Sequence, residues 1–406
     1  MNAAAPAHIS VPDRPARPGL EELAVRARDL QPMLRARALQ TEADRRVGAE
    51  VIAELSKAEL LNVVKPARFG GLEYGPSSMV RVGFELGRAC GSTAWCAMVA
   101  SCDAWFVSYW PLEVQREVWQ DQPGNIVAGA LGPTGECEPV DGGYRLWGRW
   151  PFASNCENSQ WVMISAIVPP SGDKPAGPGW FLLPIDGLNI DQDSWHVSGL
   201  AGTGSKTLYT DEPVFLPARR MVRFSDVVAL TTPGTDVPDN PLAMFGFTTF
   251  AASSVVAPLL GMARGALDWY SEYLREKIRP GASAPAAESP LNQLRAGRAS
   301  ADIEAALALL LNTVQSAEQI VFAGGRLDTE ARLAVRRAIG YAASHAVQAV
   351  NSLAEAAGAR STDLSLPLQR FWRDVNAGAR HVGLDEPAIM AMVGMHLFGL
   401  QPEGAF

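Results

Sequence analysis

The 406-residue chain changes its residue pattern twice, and this order constrains the fold more than any single motif. From about 21 to 64 the sequence is dense in Ala, Leu, Glu and Arg, with apolar residues at helical spacing, and the helical region is predicted to continue to about 124. Between about 125 and 225, short β-branched and aromatic runs alternate with Gly, Pro, Asp and Asn, which is typical of a sheet or small barrel. Helical periodicity returns from about 240 to 406. The sequence therefore predicts an α+β chain, mainly α, with an N-terminal helical domain, a central β-barrel and a C-terminal four-helix bundle.

Two finer predictions concern the N-terminal part. Residues 1–20 are predicted to form a flexible tail, because three Pro lie between positions 12 and 18 and interrupt any helix. A buried helix is predicted to begin at Ser77 or Ser78 and to run on through Ser101, since nearly every face of that segment is apolar.

Charge and cysteine usage exclude several classes of protein. A formal net charge of −8 without a basic block makes a nucleic-acid partner improbable. The five cysteines are odd in number and form no C-x-x-C pair, which favours a reducing cytoplasm. No signal-peptide pattern and no run of eighteen uninterrupted apolar residues occurs, so we expect neither secretion nor a membrane span. Cys90, Cys96 and Cys102 point to different faces of a helix, so no metal site is predicted.

Five segments occur in an order and spacing that together are specific. They are PARFGGLEYG, ELGRACGSTAW, EPVDGGYRLWGRWPFASNCENSQWVM, GLAGTGSKTL and QRFWRDVNAGARHVG. On these segments the chain resembles the acyl-CoA dehydrogenase fold, and within it the reduced-flavin-dependent monooxygenases. That family includes the oxygenase component of p-hydroxyphenylacetate hydroxylase, secosteroid hydroxylases and dibenzothiophene monooxygenase.

The resemblance implies an oxygenase component that receives reduced FMN or FAD from a separate NAD(P)H:flavin reductase. With O₂ it would form a C4a-hydroperoxyflavin and oxygenate a small aromatic, heteroaromatic or amine substrate. A homotetramer is implied in the same way. The resemblance does not decide between FMN and FAD or identify the substrate.

The first alternative is an acyl-CoA dehydrogenase, which needs a carboxylate base beside the flavin. Many dehydrogenases of that family carry this Glu in an E-x-P-x-x-R-x-x-R-D stretch, whereas this chain has Ser365 at that position. A serine cannot abstract the proton unaided, which favours the oxygenase. A non-catalytic scaffold of the same fold is the second alternative.

His381 is the predicted catalytic group. In the resembling monooxygenases a His in an R-D-x-x-x-x-x-x-H arrangement lies over the flavin, and Arg373, Asp374 and His381 match it. Seven residues are close to two helical turns, so Asp374 and His381 are expected on one helix face. Imidazole can hold or pass a proton near neutral pH. The alternative is a surface or capping histidine at a helix end.

Two strand edges are predicted to adjoin the flavin. In the resembling proteins the first carries a Ser near the reactive face, which assigns Ser154 a catalytic role and Asn155 a binding role. The second would place Trp195, Thr203 and Ser205 against the flavin ring. Ordinary turns between strands are the alternative for both segments, because Ser, Asn and Gly are common turn residues.

The remaining assignments also follow from the resemblance. Arg275 matches an arginine that binds flavin phosphate across a subunit boundary, and Arg373 is assigned to cofactor binding. Trp95, Cys102 and Asp103 would line the substrate pocket. Phenol-hydroxylating members often have a His near Cys102 and Asp103, so an Asp there favours a cationic or hydrogen-bond-donating substrate. A solvated helix end for Arg275 and core packing for Trp95 are the alternatives.

Overall fold

The computed structural model describes residues 17–278 and 284–406. The tail predicted over residues 1–20 therefore lies outside the described residues up to position 16. The N-terminal part folds into six helices: α1 (Leu20–Asp29), α2 (Gln31–Ala43), α3 (Ala49–Lys57), α4 (Ser77–Gly87), α5 (Gly91–Phe106) and α6 (Leu112–Trp119). The single helix predicted from Ser77 through Ser101 is wrong, because residues 88–90 separate α4 from α5.

The central part contains nine strands in two sheets. The strands are β1 (Val127–Val140), β2 (Gly143–Trp147), β3 (Arg149–Ala153), β4 (Trp161–Val168), β5 (Gly177–Pro184), β6 (Asn189–Asp191), β7 (Lys206–Tyr209), β8 (Val214–Pro217) and β9 (Met221–Arg223). One sheet has the order β8-β2-β1-β4-β5-β9, and the other has the order β3-β7-β6. All pairs are antiparallel except β1 with β4.

The two sheets share a core and fix where the strand ends lie. Trp150 of β3 is fully buried, and its indole Nε1 donates to the Ser165 carbonyl of β4 at 2.8 Å. Ala153, at the end of β3, is in register with Lys206 at the start of β7. The residues after Ala153 therefore lie beside the residues before Lys206, although more than fifty positions separate them.

Helices follow the sheets: α7 (Phe224–Ala229), α8 (Phe247–Phe250), α9 (Ser253–Glu276), α10 (Pro290–Phe322), α11 (Thr329–Ala357), α12 (Pro367–Gly378) and α13 (Glu386–Leu397). Helices α9 to α12 pack together as the bundle. The predicted order of helices, sheet and helices is confirmed.

The helical N-terminal part packs tightly on the bundle where α4 crosses α9. A Cβ added to Gly87 would lie 2.6 Å from the Pro258 carbonyl oxygen, and one added to Gly261 would lie 2.2 Å from the Phe84 carbonyl oxygen. These glycines allow the two backbones to approach closely.

Within residues 17–278 and 284–406, two segments are long and apolar enough to cross a membrane by length and composition alone. In Phe247–Glu276, the most apolar 18-residue stretch is 89% buried within the protein, as expected for a core helix. In the other segment, Pro290–Phe322, the corresponding stretch is only 33% buried. Helix α10 therefore presents apolar side chains outside the core of a single chain.

Candidate active site

The edge between β3 and β7 carries a chain of three buried hydroxyl groups. Ser154 Oγ lies 2.7 Å from Ser205 Oγ, and Ser205 Oγ lies 2.7 Å from Thr203 Oγ1. Thr203 Oγ1 also donates to the Leu200 carbonyl at 2.8 Å. Three of the predicted site residues therefore form one hydrogen-bonded group, which we call the hydroxyl chain.

Asn155 adjoins the hydroxyl chain and is held in a demanding conformation. Its backbone N–H donates to the Thr203 carbonyl at 3.0 Å, and its φ of 60° lies in the left-handed region. Its side-chain Nδ2 is buried and has no hydrogen-bond partner. A buried donor without a partner is costly unless a ligand accepts from it.

Left-handed residues concentrate here. In the described part of the chain, eight residues other than glycine have a positive φ. Four of them, Arg45, Phe152, Asn155 and Leu200, lie in or directly against this site. Such backbone strain persists where the surroundings hold it, as they commonly do at binding sites.

Helix α12 fixes the segment that leads into the hydroxyl chain. Asp374 Oδ1 accepts from the Leu200 N–H at 2.6 Å, and Arg373 donates to the Ser198 carbonyl. Arg373 also forms a 2.6 Å ion pair with Glu42 of α2. A Cβ on Gly199 would lie 2.3 Å from the Arg373 carbonyl oxygen, so only glycine allows this approach.

The Asp374 carboxyl is buried between α12 and this segment. Desolvation raises its pKa to about 6, although the Leu200 N–H and the charge of Arg373 oppose the shift. At neutral pH the carboxylate form accepts the Leu200 hydrogen bond, so Asp374 holds backbone in place.

His381 lies beyond the end of α12, which corrects the expectation that it shares a helix face with Asp374. The helix ends at Gly378, and the His381 side chain caps the short turn Val382–Leu384. Its Nδ1 accepts from the Gly383 N–H at 3.1 Å. The helix stops because the sequence VGLDEP supplies a turn and the cap of α13. His381 therefore caps a helical turn, which is the alternative that the sequence offers for this residue.

The His381 ring nevertheless faces the predicted pocket. It meets the edge of the Trp95 ring at 5.8 Å between centroids. The residue is exposed to solvent, yet desolvation and the charge of Arg336 lower its pKa to about 4. Both observations fit a ring that protein atoms surround closely while solvent still reaches part of it. The imidazole is thus neutral at pH 7, and because Nδ1 accepts, Nε2 carries the hydrogen.

Trp195 forms a partly open wall on the barrel side. Its indole Nε1 donates to the Ala201 carbonyl at 3.1 Å, and Arg45 donates to the Trp195 carbonyl at 3.3 Å. Phe152, which is 68% exposed, meets the Trp195 ring edge-on at 6.0 Å. This aromatic pair stands next to the hydroxyl chain, since Phe152 precedes Ser154 by two residues.

Cys102 and Asp103 lie deeper, on α5. Cys102 is two turns beyond Trp95, and its thiol donates to the Ala251 carbonyl at 3.8 Å. Asp103 is buried, its Oδ2 has no hydrogen-bond partner, and burial raises its pKa well above the usual value. Its carboxyl lies against β1, where a Cβ on Gly129 would be 2.8 Å from Oδ1. A neutral carboxyl here is able to donate a hydrogen bond.

Two residues stand apart from this group. Arg275 is exposed in the last turn of α9 and, within the described ranges, has no hydrogen bond or ion pair. Ser365 is exposed, and its hydroxyl donates to Asp363 at 2.6 Å.

Comparison with known proteins identifies the family. Residues 22–121 match the acyl-CoA dehydrogenase N-terminal domain, and residues 253–386 match the acyl-CoA dehydrogenase C-terminal domain. The HsaA monooxygenase structure from M. tuberculosis superposes with a TM-score of 0.88 at 30% identity, over 96% of this chain and 100% of that one. The predicted fold is confirmed.

The curated relatives are oxygenases. The oxygenase component of FADH(2)-dependent resorcinol hydroxylase from Rhizobium sp. (strain MTP-10005) is 37% identical over 92% of this chain and 93% of its own. The oxygenase component of p-hydroxyphenylacetate 3-hydroxylase from Acinetobacter baumannii is 25% identical over 98% of this chain and 92% of its own. The chain belongs to this family, the oxygenase components of flavin-dependent monooxygenases with the acyl-CoA dehydrogenase fold. The monooxygenase prediction is confirmed over the dehydrogenase alternative.

The barrel-side residues fit a flavin. A flavin ring presents hydrogen-bonding atoms along one edge and a broad aromatic face. The unpartnered Nδ2 of Asn155 supplies a donor, the Ser154 oxygen at the end of the hydroxyl chain supplies an acceptor, and Trp195 with Phe152 supplies aromatic surface.

Two residues at the site, Phe152 and Arg336, are not among those predicted from the sequence. Phe152 gave no signal, because its left-handed backbone depends on the tertiary structure. Arg336 did give one, because Leu333, Arg336 and Ile339 follow helical spacing and place an arginine on the apolar face.

Proposed function

We propose that this oxygenase component hydroxylates the ring of an electron-rich aromatic substrate, using reduced FMN or FAD supplied by a separate NAD(P)H:flavin reductase. The observation that carries the proposal is His381, a neutral imidazole whose Nδ1 is engaged by the Gly383 N–H and whose Nε2–H is free to donate. When bound, reduced flavin supplies the two electrons that activate O₂, so that one oxygen atom enters the substrate and the other leaves as water.

The chain's own residues divide the remaining work. Ser154, Asn155 and Trp195 would bind and orient the flavin ring from the barrel side. His381 would donate a hydrogen bond from Nε2 into the space between barrel and bundle, and Trp95 would exclude water beside it. Asp103, buried and disposed to be neutral, would donate a hydrogen bond to a substrate oxygen, and a phenolic hydroxyl is able to accept one.

Coupling of oxygen use to product tests this proposal. Reduced FMN or FAD is mixed with the full-length protein and O₂, and hydroxylated product and hydrogen peroxide are measured with resorcinol or p-hydroxyphenylacetate. We expect the wild type to convert at least one phenol, and His381→Ala to lower the product yield per O₂ by about 10²-fold. His345→Ala is the matched control, because that ring packs on Tyr341 of α11 and its Nδ1 lies 3.9 Å from Asp302 Oδ1 of α10. Tightly bound oxidised flavin that acyl-CoA bleaches under nitrogen would contradict the proposal.

We also propose that copies of the chain associate through α10, as a homotetramer. Large apolar side chains on this helix are exposed: Leu291, Leu294, Leu309, Ile320 and Phe322. Association would bury them and would let Arg275, unpaired within the described chain, reach the flavin phosphate of a neighbouring copy. Light scattering after gel filtration tests this, and we expect Leu294→Asp to reduce the oligomer while Leu39→Asp, equally exposed on α2, leaves it intact.

For the cellular setting we propose the cytoplasm, without membrane or nucleic-acid partners. The proposal is supported by the acidic net charge and by five free cysteines, four of which are buried. The two apolar helices do not require a membrane. The most apolar stretch of Phe247–Glu276 is 89% buried in the protein, and the proposed assembly would bury the apolar side chains of α10. Fractionation of cells that express the chain tests this, and recovery in the membrane pellet would contradict it.

A further inference from the structure

The bundle contains a buried arginine to which the proposed function assigns no contact with flavin or substrate. Arg336 lies on α11, and only 6% of its surface is exposed. Its Nε is buried without a hydrogen-bond partner, and in the described ranges its guanidinium forms no hydrogen bond and no ion pair. Arginine side chains are rarely buried unless something pairs with them.

The other buried arginines of the described chain have carbonyl or carboxyl groups nearby that compensate their charge. Arg223 donates to the Pro169 and Pro175 carbonyls at 2.6 and 3.0 Å. Arg370 lies close enough to the buried Asp374 for its charge to lower the pKa of that carboxyl. For Arg336, burial lowers the pKa to about 10, and no neighbouring carboxylate opposes the shift. Among the described residues, therefore, nothing compensates its charge.

Arg336 adjoins the candidate active site. Helix α11 packs against the turn Val382–Leu384, which His381 caps, and the charge of Arg336 acts on the His381 ring. One turn earlier, the guanidinium of Arg332 lies 4.7 Å from the centroid of the Phe406 ring. Thr248 of α8 donates to the Phe406 carbonyl at 2.9 Å, so Phe406 covers the side of α11 that carries Arg332.

We propose that Arg336 binds the carboxylate of an anionic aromatic substrate, so that the enzyme acts on a ring carrying an acidic side group. A guanidinium offers a planar pair of N–H donors that matches a carboxylate, and burial strengthens such a charge-assisted pair. The bound carboxylate would compensate the charge that the protein leaves unpaired. The inference rests on the proposed function, because it specifies the substrate of that same site.

Calorimetric titration of the full-length, flavin-free protein tests the proposal. The probes are p-hydroxyphenylacetate and its neutral amide, which share shape and ring but differ in charge. We expect the wild type to bind the acid about tenfold more tightly than the amide. Arg336→Met should remove this preference, and Arg336→Lys should keep part of it. Arg337→Met, an exposed arginine one position further on, is the matched control and should keep all of it.

Several outcomes overturn the proposal. These are equal binding of acid and amide by the wild type, binding of neither, or a preference that survives in Arg336→Met. The wild-type comparison stands even if the variant fails to fold.

Flavin phosphate is the other anion that the site could meet. If Arg336→Met instead removes a preference for FMN over riboflavin, the arginine serves the cofactor and the substrate assignment is wrong. Formation of hydroxylated product by the wild type, with reduced flavin and O₂, distinguishes failure of the proposed function from failure of this inference. No product from any phenol defeats the proposed function, whereas product formation without preferential binding of the acid defeats only this inference.

Discussion

Replacing Arg336 with Met should make the ligand-free protein more stable. Methionine keeps an unbranched chain of similar reach while it removes the unpaired charge. Breaking a buried ion pair is usually destabilising, because it leaves one charge uncompensated. Here the charge is already uncompensated, so its removal relieves the native state of a cost.

The magnitude follows from the shift in the guanidinium pKa. Burial lowers the pKa from 12.5 to about 10. At about 1.4 kcal/mol per pKa unit, the charged form costs the native state about 3 kcal/mol. The smaller methionine fills the space less completely, which offsets about 1–2 kcal/mol of this gain. We therefore expect a net increase in the free energy of unfolding of about 1–2 kcal/mol.

Urea unfolding at neutral pH, followed by circular dichroism without flavin or substrate, measures this difference. The control Arg337→Met should remain within about 0.5 kcal/mol of the wild type, since that side chain is exposed. Saturating p-hydroxyphenylacetate should then stabilise the wild type by about 1.4 kcal/mol more than it stabilises Arg336→Met, which corresponds to the tenfold difference in affinity. Loss of more than about 1 kcal/mol in ligand-free Arg336→Met would refute the reasoning, because it would mean that the guanidinium has a partner in the native assembly.

Three further predictions address the flavin side and the histidine. The pKa of His381 is lowered from 6.5 to about 4, so between these pH values the unfolded chain binds more protons than the folded chain. The free energy of unfolding of the wild type, measured by urea titration, should therefore decrease as the pH falls from 6.5 to about 4. His381→Gln should lose less stability over the same range. Gly199→Ala should weaken the binding of reduced flavin about tenfold in an anaerobic titration, because the added Cβ would lie 2.3 Å from the Arg373 carbonyl oxygen. Gly187→Ala is the control and should leave binding unchanged, because no atom lies within 4 Å of its added Cβ. Ser205→Ala removes the central hydroxyl of the hydroxyl chain and should cost about 1–2 kcal/mol of unfolding free energy; an unchanged urea midpoint would contradict that role.

The order of helices, sheet and helices could be predicted because residue composition and periodicity report it directly. The break between α4 and α5 could not. Both segments are apolar on nearly every face, so the spacing of the apolar residues does not change where the backbone turns at Arg88. Burial against α9 and the barrel determines that break.

The site could be predicted only in part, for a related reason. Ser154 and Ser205 lie on separate strand edges, and the β3–β7 register that joins them is a tertiary fact. His381 follows Asp374 at helical spacing, yet the helix ends between them, because the side chains of His381 and Asp385 cap the elements that follow. Spacing along a chain predicts a shared face only while the helix continues.

One helix sets the distance between the two sides of the site. The middle of α12 holds the barrel-side segment through Asp374 and Leu200, and His381 follows its end by three residues. At Gly378 an added Cβ would lie 3.1 Å from the Trp95 ring and 3.2 Å from the Leu200 side chain. A shift of α12 would therefore move the proposed flavin contacts and the proposed hydrogen-bond donor together. The buried acid Asp374 preserves the spacing between them through its hydrogen bond with the Leu200 backbone.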